Sequence, residues 1–294
     1  MRIINGIRRR IRYVSGRIQI RRLEKKKFAY SLAHNKEHIV VSFTTFPPRL
    51  KWVHLVVRGI MSQSIKPDKI VMYIGDDVKI DSIPDKVKEL CQYGLEIKKI
   101  PGNLKPHKKY QYAMEDYPDS LIITIDDDLI YHKNFIQSLY EGHRRFPDSV
   151  IAIRGHEITF NDDGTIKPYN EWNQQVMHSC YPSMKLFAAG GSGGVLYPPR
   201  ALDERAFDKD KVQKLCLNAD DIWLKMMEVL NGTKTVIYNP KLFNKYIKCR
   251  GLEKNKGLNE ENVLQNANDK YIYQVASFFN IDLSSLNEEI RIIE

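Results

Sequence analysis

Three consecutive carboxylates, Asp126-Asp127-Asp128, close an apolar run that begins at Leu121 and reads Leu-Ile-Ile-Thr-Ile before the charges. Such a run is what a strand buried on both faces looks like, and carboxylates at its carboxyl end would face the ligand crevice of an open α/β sheet. Side chains two apart in an extended chain point the same way. Asp126 and Asp128 are therefore expected to converge on one point, while Asp127 points away and tolerates change best. Two hard oxygen ligands that leave positions open suit Mg²⁺ or Mn²⁺ bridging a diphosphate. The plainer reading, a strand followed by an Asp-rich turn, leaves three adjacent charges repelling one another.

A second acidic pair, Asp220-Asp221, stands before Ile222-Trp223 at the start of an expected helix. Aspartate favours the N-cap and first turn of a helix, so a structural role competes here with a chemical one. Thr44-Thr45-Phe46-Pro47-Pro48-Arg49 follows the first strand, and Lys105, Lys108 and Lys109 precede the acidic one.

The elements that must hold these residues alternate. Strands are expected at 39–43, 70–74, 95–100, 121–125 and 150–153, and helices at 50–63, 85–93, 107–116 and 134–146. This order predicts a mainly parallel sheet covered on both faces. Beyond Arg154 the regularity weakens. Residues 155–188 are polar and aromatic, Gly190 to Gly194 form a glycine-rich run, and a late helix, a strand at 235–238 and a helix at 270–279 follow.

The 294 residues are 43% hydrophobic and 28% charged, a globular balance with ample core. The formal charge of +10 is lodged in residues 1–27, which hold eleven Arg/Lys and one acid, while the remainder is balanced. Ile4, Ile7, Ile11, Val14 and Ile18 recur there at three- and four-residue steps among arginines. That pattern predicts a basic amphipathic helix suited to an anionic membrane surface; a solvated tail or a helix docked on the body is the alternative. No nucleic-acid motif is present, and nucleic acid is not an expected partner. Four dispersed cysteines fit neither a zinc site nor a disulfide framework. No apolar run reaches the length of a membrane span, and no signal-peptide core is evident. The expected location is cytoplasmic, peripheral on the inner face of the plasma membrane.

In its order of motifs, Thr44-Thr45…Arg49, Lys108-Lys109, Asp126-Asp127-Asp128 and Asp220-Asp221-Ile222-Trp223, the chain resembles nucleotide-sugar glycosyltransferases of the GT-A fold. Within these it looks most like the family 2 type that builds bacterial surface polysaccharide (capsule or lipopolysaccharide). The resemblance covers about residues 38–240. It implies a GT-A catalytic domain at 38–250, preceded by the basic segment and linker at 1–37 and followed by a helical extension at 251–294. It also implies a nucleotide-sugar donor, with a UDP-sugar the first expectation, and a lipid-linked or polysaccharide acceptor. The cofactor would be Mn²⁺ or Mg²⁺ held by Asp126 and Asp128 in a DXD motif, with Asp126 and Asp127 beside the donor. Thr44, Thr45 and Arg49 would meet base, ribose and phosphate, and Lys109 the diphosphate. An acid at the place of Asp221, or next Asp220, deprotonates the acceptor hydroxyl in inverting members, and a carboxylate base needs only reach and partial desolvation. The glycine run would let backbone approach a sugar or hinge a lid, Trp172 and Tyr181 would stack on sugars unless core packing claims them, and His156 is a minor candidate ligand.

Three other functions fit the pattern less well. A nucleotidyltransferase of related architecture would carry a glycine-rich phosphate loop after the first strand, which Thr44 to Arg49 lacks. A non-catalytic carbohydrate-binding protein would keep the fold without turnover. An aspartyl phosphatase would place its motif after the first strand rather than the fourth.

Overall fold

The computed structural model describes residues 18, 20–25, 33, 35–189, 193–249 and 267–293. Its centre is a seven-stranded sheet of order β10-β6-β9-β4-β1-β2-β3. The strands are β1 (Ile39–Thr44), β2 (Lys69–Ile74), β3 (Leu95–Lys99), β4 (Leu121–Thr124), β6 (Val150–Ala152), β9 (Val195–Tyr197) and β10 (Thr235–Ile237). Neighbours run parallel except β9, which lies antiparallel between β4 and β6. The α/β, mainly parallel architecture expected from the alternation is thus the observed one.

Both faces of the sheet are covered, which is why its strands read as continuous apolar runs. Val41, Phe43, Met72, Ile123 and Ile151 pack into one core with helices α1 (Leu50–Met61) and α4 (Phe135–Arg145). Between β2 and β3 lies the single-turn α2 (Asp85–Lys88), continued by a 3-10 turn to Tyr93. Val40, Val71, Tyr73 and Ile122 face the opposite way, onto α3 (Lys108–Asp116). Each such side chain, fully buried, contributes about 1.5–3 kcal/mol. Helix α1 forms because Leu50, Val53, Val56, Val57 and Ile60 repeat at helical spacing and are all buried.

A second core gathers on the same side as α3, beneath β6, β9 and β10. It joins α5 (Lys209–Leu215), α6 (Asp220–Asn231) and α7 (Ala267–Phe279) through Val212, Ile222, Trp223, Ile272 and Val275. Trp172 belongs here, packed among Tyr169 and Phe187; its indole N–H donates to the Lys167 carbonyl. Core packing, not sugar stacking, claims this tryptophan. Two short ribbons complete the fold: β7 (Gly155–Glu157) with β8 (Leu186–Ala188), and β5 (Leu129–Ile130) with β11 (Ile247–Lys248).

The basic helix expected over residues 1–27 lies mostly outside the described residues. Residues 20–25 are helical, with Ile20 and Leu23 packed on the main core and Arg21, Arg22 and Lys25 exposed. Arg58 donates to the Leu23 carbonyl at 3.2 Å. Among the described residues, no helix is long and apolar enough to cross a membrane.

Candidate active site

The strand order places the site. From β1 the chain adds β2 and β3 on one side, then returns so that β4 pairs with β1 on the other. The direction of winding reverses between β1 and β4, where open α/β sheets form a crevice at the carboxyl ends of their strands. Thr44 and Thr45 stand at one lip and Asp126 to Asp128 at the other.

Across this crevice the Thr45 hydroxyl donates to Asp127 Oδ2 at 2.7 Å. Arg49, at the end of a Pro-Pro-Arg 3-10 turn, reaches Asp127 Oδ1 at 2.5 Å and Asp128 Oδ2 at 3.4 Å. Its guanidinium also lies 5.1 Å from the Phe46 ring centre. Burial opposes the Arg49 charge, yet Asp127 and Asp128 outweigh it and hold its pKa above the ordinary value. Thr44 donates to the Tyr73 carbonyl at 2.8 Å, tying the lip to β2.

Asp127 corrects the sequence reading. It is buried, and it is the carboxylate that joins β4 to the first loop. The alternation rule fails here for a local reason: β4 ends at Thr124, and Asp127-Asp128 form a turn before β5. Beyond Thr124 the period of two no longer governs direction. Burial raises the Asp127 pKa against the pull of Arg49 and Thr45.

Asp126 faces the other half of the site. Lys109 Nζ lies 3.4 Å from Asp126 Oδ1 and 2.9 Å from Asp220 Oδ2, so one ammonium bridges the two acidic motifs. Burial pushes the Asp126 pKa up to about 6, and the charges of Asp128, Asp127 and Asp220 add to the effect against Lys109. Asp220 goes the other way: despite burial, Lys109 and His107 hold its carboxyl below the usual range. The Lys109 pKa rises because the two aspartates, with Asp221, outweigh its burial. The Asp126 backbone N–H donates to the Tyr131 hydroxyl at 2.9 Å, and the Cys249 N–H donates to the Asp128 carbonyl at 2.8 Å.

Asp220 and Asp221 are the first two residues of α6, but Ala219 is its N-cap and no side chain caps it. Asp220 and Asp221 therefore do not cap α6, although both occupy its first turn, where carboxylates also suit the helix dipole. The charge of Asp221 acts on Lys109, Tyr169 and Arg154. Arg154, just past β6, was not singled out from the sequence. It packs 5.1 Å from the Phe243 ring centre, and burial lowers its pKa against the charges of Tyr169, Asp221 and Asp126. A strand-end rule applied to Val150–Ala152 as it was to β4 would have found it.

The other lysines have separate partners. Lys108 is buried, donates to Asn103 at 2.8 Å and stands 3.6 Å from Asp77, while Lys105 reaches Asn218 at 2.6 Å. His156 is no ligand: it is buried against Phe187, its Nδ1 accepts from the Gln175 N–H, and burial lowers its pKa to about 4. Tyr181 packs against Phe146 and between Arg145 and Arg291. Of the glycine run, residues 190–192 lie outside the described residues. Gly193 packs on Arg154, where an added Cβ would come within 2.6 Å of the arginine's own.

The chemistry of the donor set can be tested against a divalent cation. The charges of Asp127, Asp128 and Asp220 act on Asp126, that of Asp221 acts on Lys109 and Arg154, and Arg49, Lys109 and Arg154 are the facing cations. Burial is the main cause of the raised Asp126 pKa, Lys109 offsets part of it, and the like charges of Asp128, Asp127 and Asp220, which a cation would relieve, add to it. A cation fits. Among the described residues, no three His, Cys, Asp or Glu side chains are grouped to hold one alone, so ligand oxygens and water would complete the shell.

Residues 40–198 match the sequence model of glycosyl transferase family 2. The chain belongs to that family. No curated protein sequence matches it. Among solved structures, it resembles S. aureus TarS 1–349 in complex with UDP-GlcNAc at 12% identity and a TM-score of 0.51, over 86% of this chain and 68% of that one. A mannosyltransferase from Pyrobaculum calidifontis, in complex with GDP-Man and Mn²⁺, aligns at 10% identity and a TM-score of 0.48, over 92% of this chain and 73% of that one. The family 2 glycosyltransferase described here has the GT-A fold, and the crevice between β1 and β4 is where its two acidic motifs meet.

Proposed function

We propose that this glycosyltransferase moves a sugar from a nucleoside diphosphate donor, a UDP-sugar first, to a hydroxyl of a lipid-linked or polysaccharide acceptor, with inversion. One observation carries the reading: Lys109 brings Asp126, at the end of β4, and Asp220, at the start of α6, to one place. A donor-side carboxylate motif and a candidate base thus face one crevice.

In this reading Asp126 and Asp128 hold Mn²⁺ or Mg²⁺ as a DXD motif. A bound divalent cation supplies stabilisation of the negative charge on the departing diphosphate, without proton transfer. Asp127 locks the motif to Thr45 and Arg49, and Thr44, Thr45 and Arg49 shape the lip that receives the nucleotide. Asp221 accepts the proton of the acceptor hydroxyl as the oxygen attacks the anomeric carbon, and Asp220 anchors the helix that carries it. The basic segment 1–27 holds the enzyme against an anionic membrane surface on the cytoplasmic side, where lipid-linked acceptors of surface polysaccharide are met. The exposed Arg21, Arg22 and Lys25 support that part of the reading.

A thermal-shift titration tests it. With Mn²⁺ present, UDP-GlcNAc, UDP-glucose and GDP-mannose are offered in turn to the wild type and to Asp128→Ala. A donor at about 100 times its Kd raises stability by about 2.7 kcal/mol, and Asp128→Ala is expected to lose the gain. Equal stabilisation of both proteins, or none in the wild type by any donor, would overturn the donor site.

A further inference from the structure

The stretch from Lys105 to Gln111 is a seam between the nucleotide-side strands and the second core. Lys105 donates to Asn218 (2.6 Å), His107 to the Cys216 carbonyl (2.8 Å), Tyr110 to the Ala206 carbonyl (3.2 Å) and Gln111 to the Phe207 carbonyl (2.7 Å). Each of these ties ends on a neutral group. Lys109 differs, because its ammonium ends on two carboxylates, one from each acidic motif. Its backbone is fixed as well, since Ser42 of β1 donates to the Lys109 carbonyl at 2.5 Å. One residue therefore touches β1, the end of β4 and the start of α6.

A lysine that binds a diphosphate must present its charge to the crevice. The Lys109 side chain is only 4% exposed. At the far end of the bridge, α6 begins without a capping side chain, and besides its own backbone N–H the Asp220 carboxylate is held by the Lys109 ammonium. We propose that Lys109 is a positioning residue: by binding Asp220 and Asp126 together it fixes the start of α6 against the donor motif, and so sets the reach of Asp221 to the acceptor hydroxyl. The inference rests on Asp221 being the base. It moves Lys109 from the donor's phosphates to the geometry between donor and base, where a misplacement of about 1 Å costs roughly 100-fold in rate.

The test uses the full chain with Mn²⁺ and whichever of UDP-GlcNAc, UDP-glucose and GDP-mannose stabilises the wild type, following nucleoside diphosphate release with water as acceptor. Lys109→Met alone strands a buried Asp220 and risks misfolding, so the double variant Lys109→Met/Asp220→Asn, which removes both charges, is measured beside it. The double variant should bind donor within about threefold of wild type, lose kcat by roughly 100-fold, and show faster amide hydrogen exchange over residues 220–224. Wild-type kcat in the double variant would overturn the proposal. So would a fall in donor affinity that accounts for the whole loss while exchange at 220–224 stays unchanged, since that is the behaviour of a phosphate ligand. Asp221→Asn separates the two claims. Undiminished turnover there overturns the base assignment and the purpose given to the tether, whereas exchange at 220–224 reports the tether by itself.

Discussion

Thr45 and Asp127 meet across the gap between β1 and β4, hydroxyl to carboxylate at 2.7 Å, and Arg49 closes the same carboxylate from the other side. The middle aspartate of the triplet is thus a strut of the site. Asp127→Ala leaves the Arg49 charge half-buried without its main partner, and such losses cost about 3 kcal/mol. Asp127→Asn still accepts from Thr45 and should cost less. Urea unfolding of both variants checks this; an Asp127→Ala protein as stable as wild type would show that the strut bears no weight.

Asp221→Asn should retain donor binding while turnover falls by about 10²–10⁴-fold, the usual contribution of a general base. Calorimetric donor titration beside steady-state turnover separates the two. If turnover survives, the proton is accepted elsewhere.

Two imidazoles make the fold sensitive to acid. His107 and His156 are buried, and burial lowers both pKa values from 6.5 to about 4. Between those limits the unfolded chain binds protons that the folded one does not. Each histidine therefore stabilises the fold above about pH 6.5, and that contribution is lost as pH falls toward 4, on the order of 3 kcal/mol at full extent. Asp126 acts in the opposite sense, because its raised pKa means that ionising it on the way up to about pH 6 weakens the fold. The informative measurement is a difference: wild type should lose more stability between pH 7 and 5 than His156→Gln. Parallel curves for the two would refute the claim.

The exposed cations of the N-terminal helix are separable from its packing. Replacing Arg21, Arg22 and Lys25 by alanine leaves Ile20 and Leu23 seated on the core. Each basic residue near an anionic surface is worth about 1 kcal/mol, so the triple variant should bind phosphatidylglycerol vesicles more than tenfold more weakly, without unfolding. Unchanged sedimentation with vesicles would remove these three residues from any membrane contact.

Much of this architecture was readable in the chain because buried parallel strands leave apolar runs that end in polar groups. The run from Leu121 to Ile125 announced both β4 and the motif after it, and the alternation of elements placed a helix before it. What could not be read was the path of the chain after a strand stops. The turn at Asp127-Asp128 turned Asp127 onto Thr45 and Arg49 where alternation points it away, and nothing local reveals that Val195–Tyr197 inserts antiparallel between β4 and β6. Lys109 was picked out for its place before the acidic strand, but its two partners lie 17 and 111 positions away, a separation no periodicity encodes. Arg154 sits after a strand of only three residues, too short to draw attention.

The pairing of β11 with β5, sealed by the Cys249 N–H on the Asp128 carbonyl, has a consequence for how the protein is made. On the ribosome, Asp126 to Asp128 emerge long before residues 247–249, and until these arrive the turn after the motif lacks the ribbon that holds it. A nascent chain can assemble β1 to β4 while the turn after its acidic triplet still lacks that ribbon. If that motif takes the donor, competence to bind it waits until residues 247–249 have left the exit tunnel.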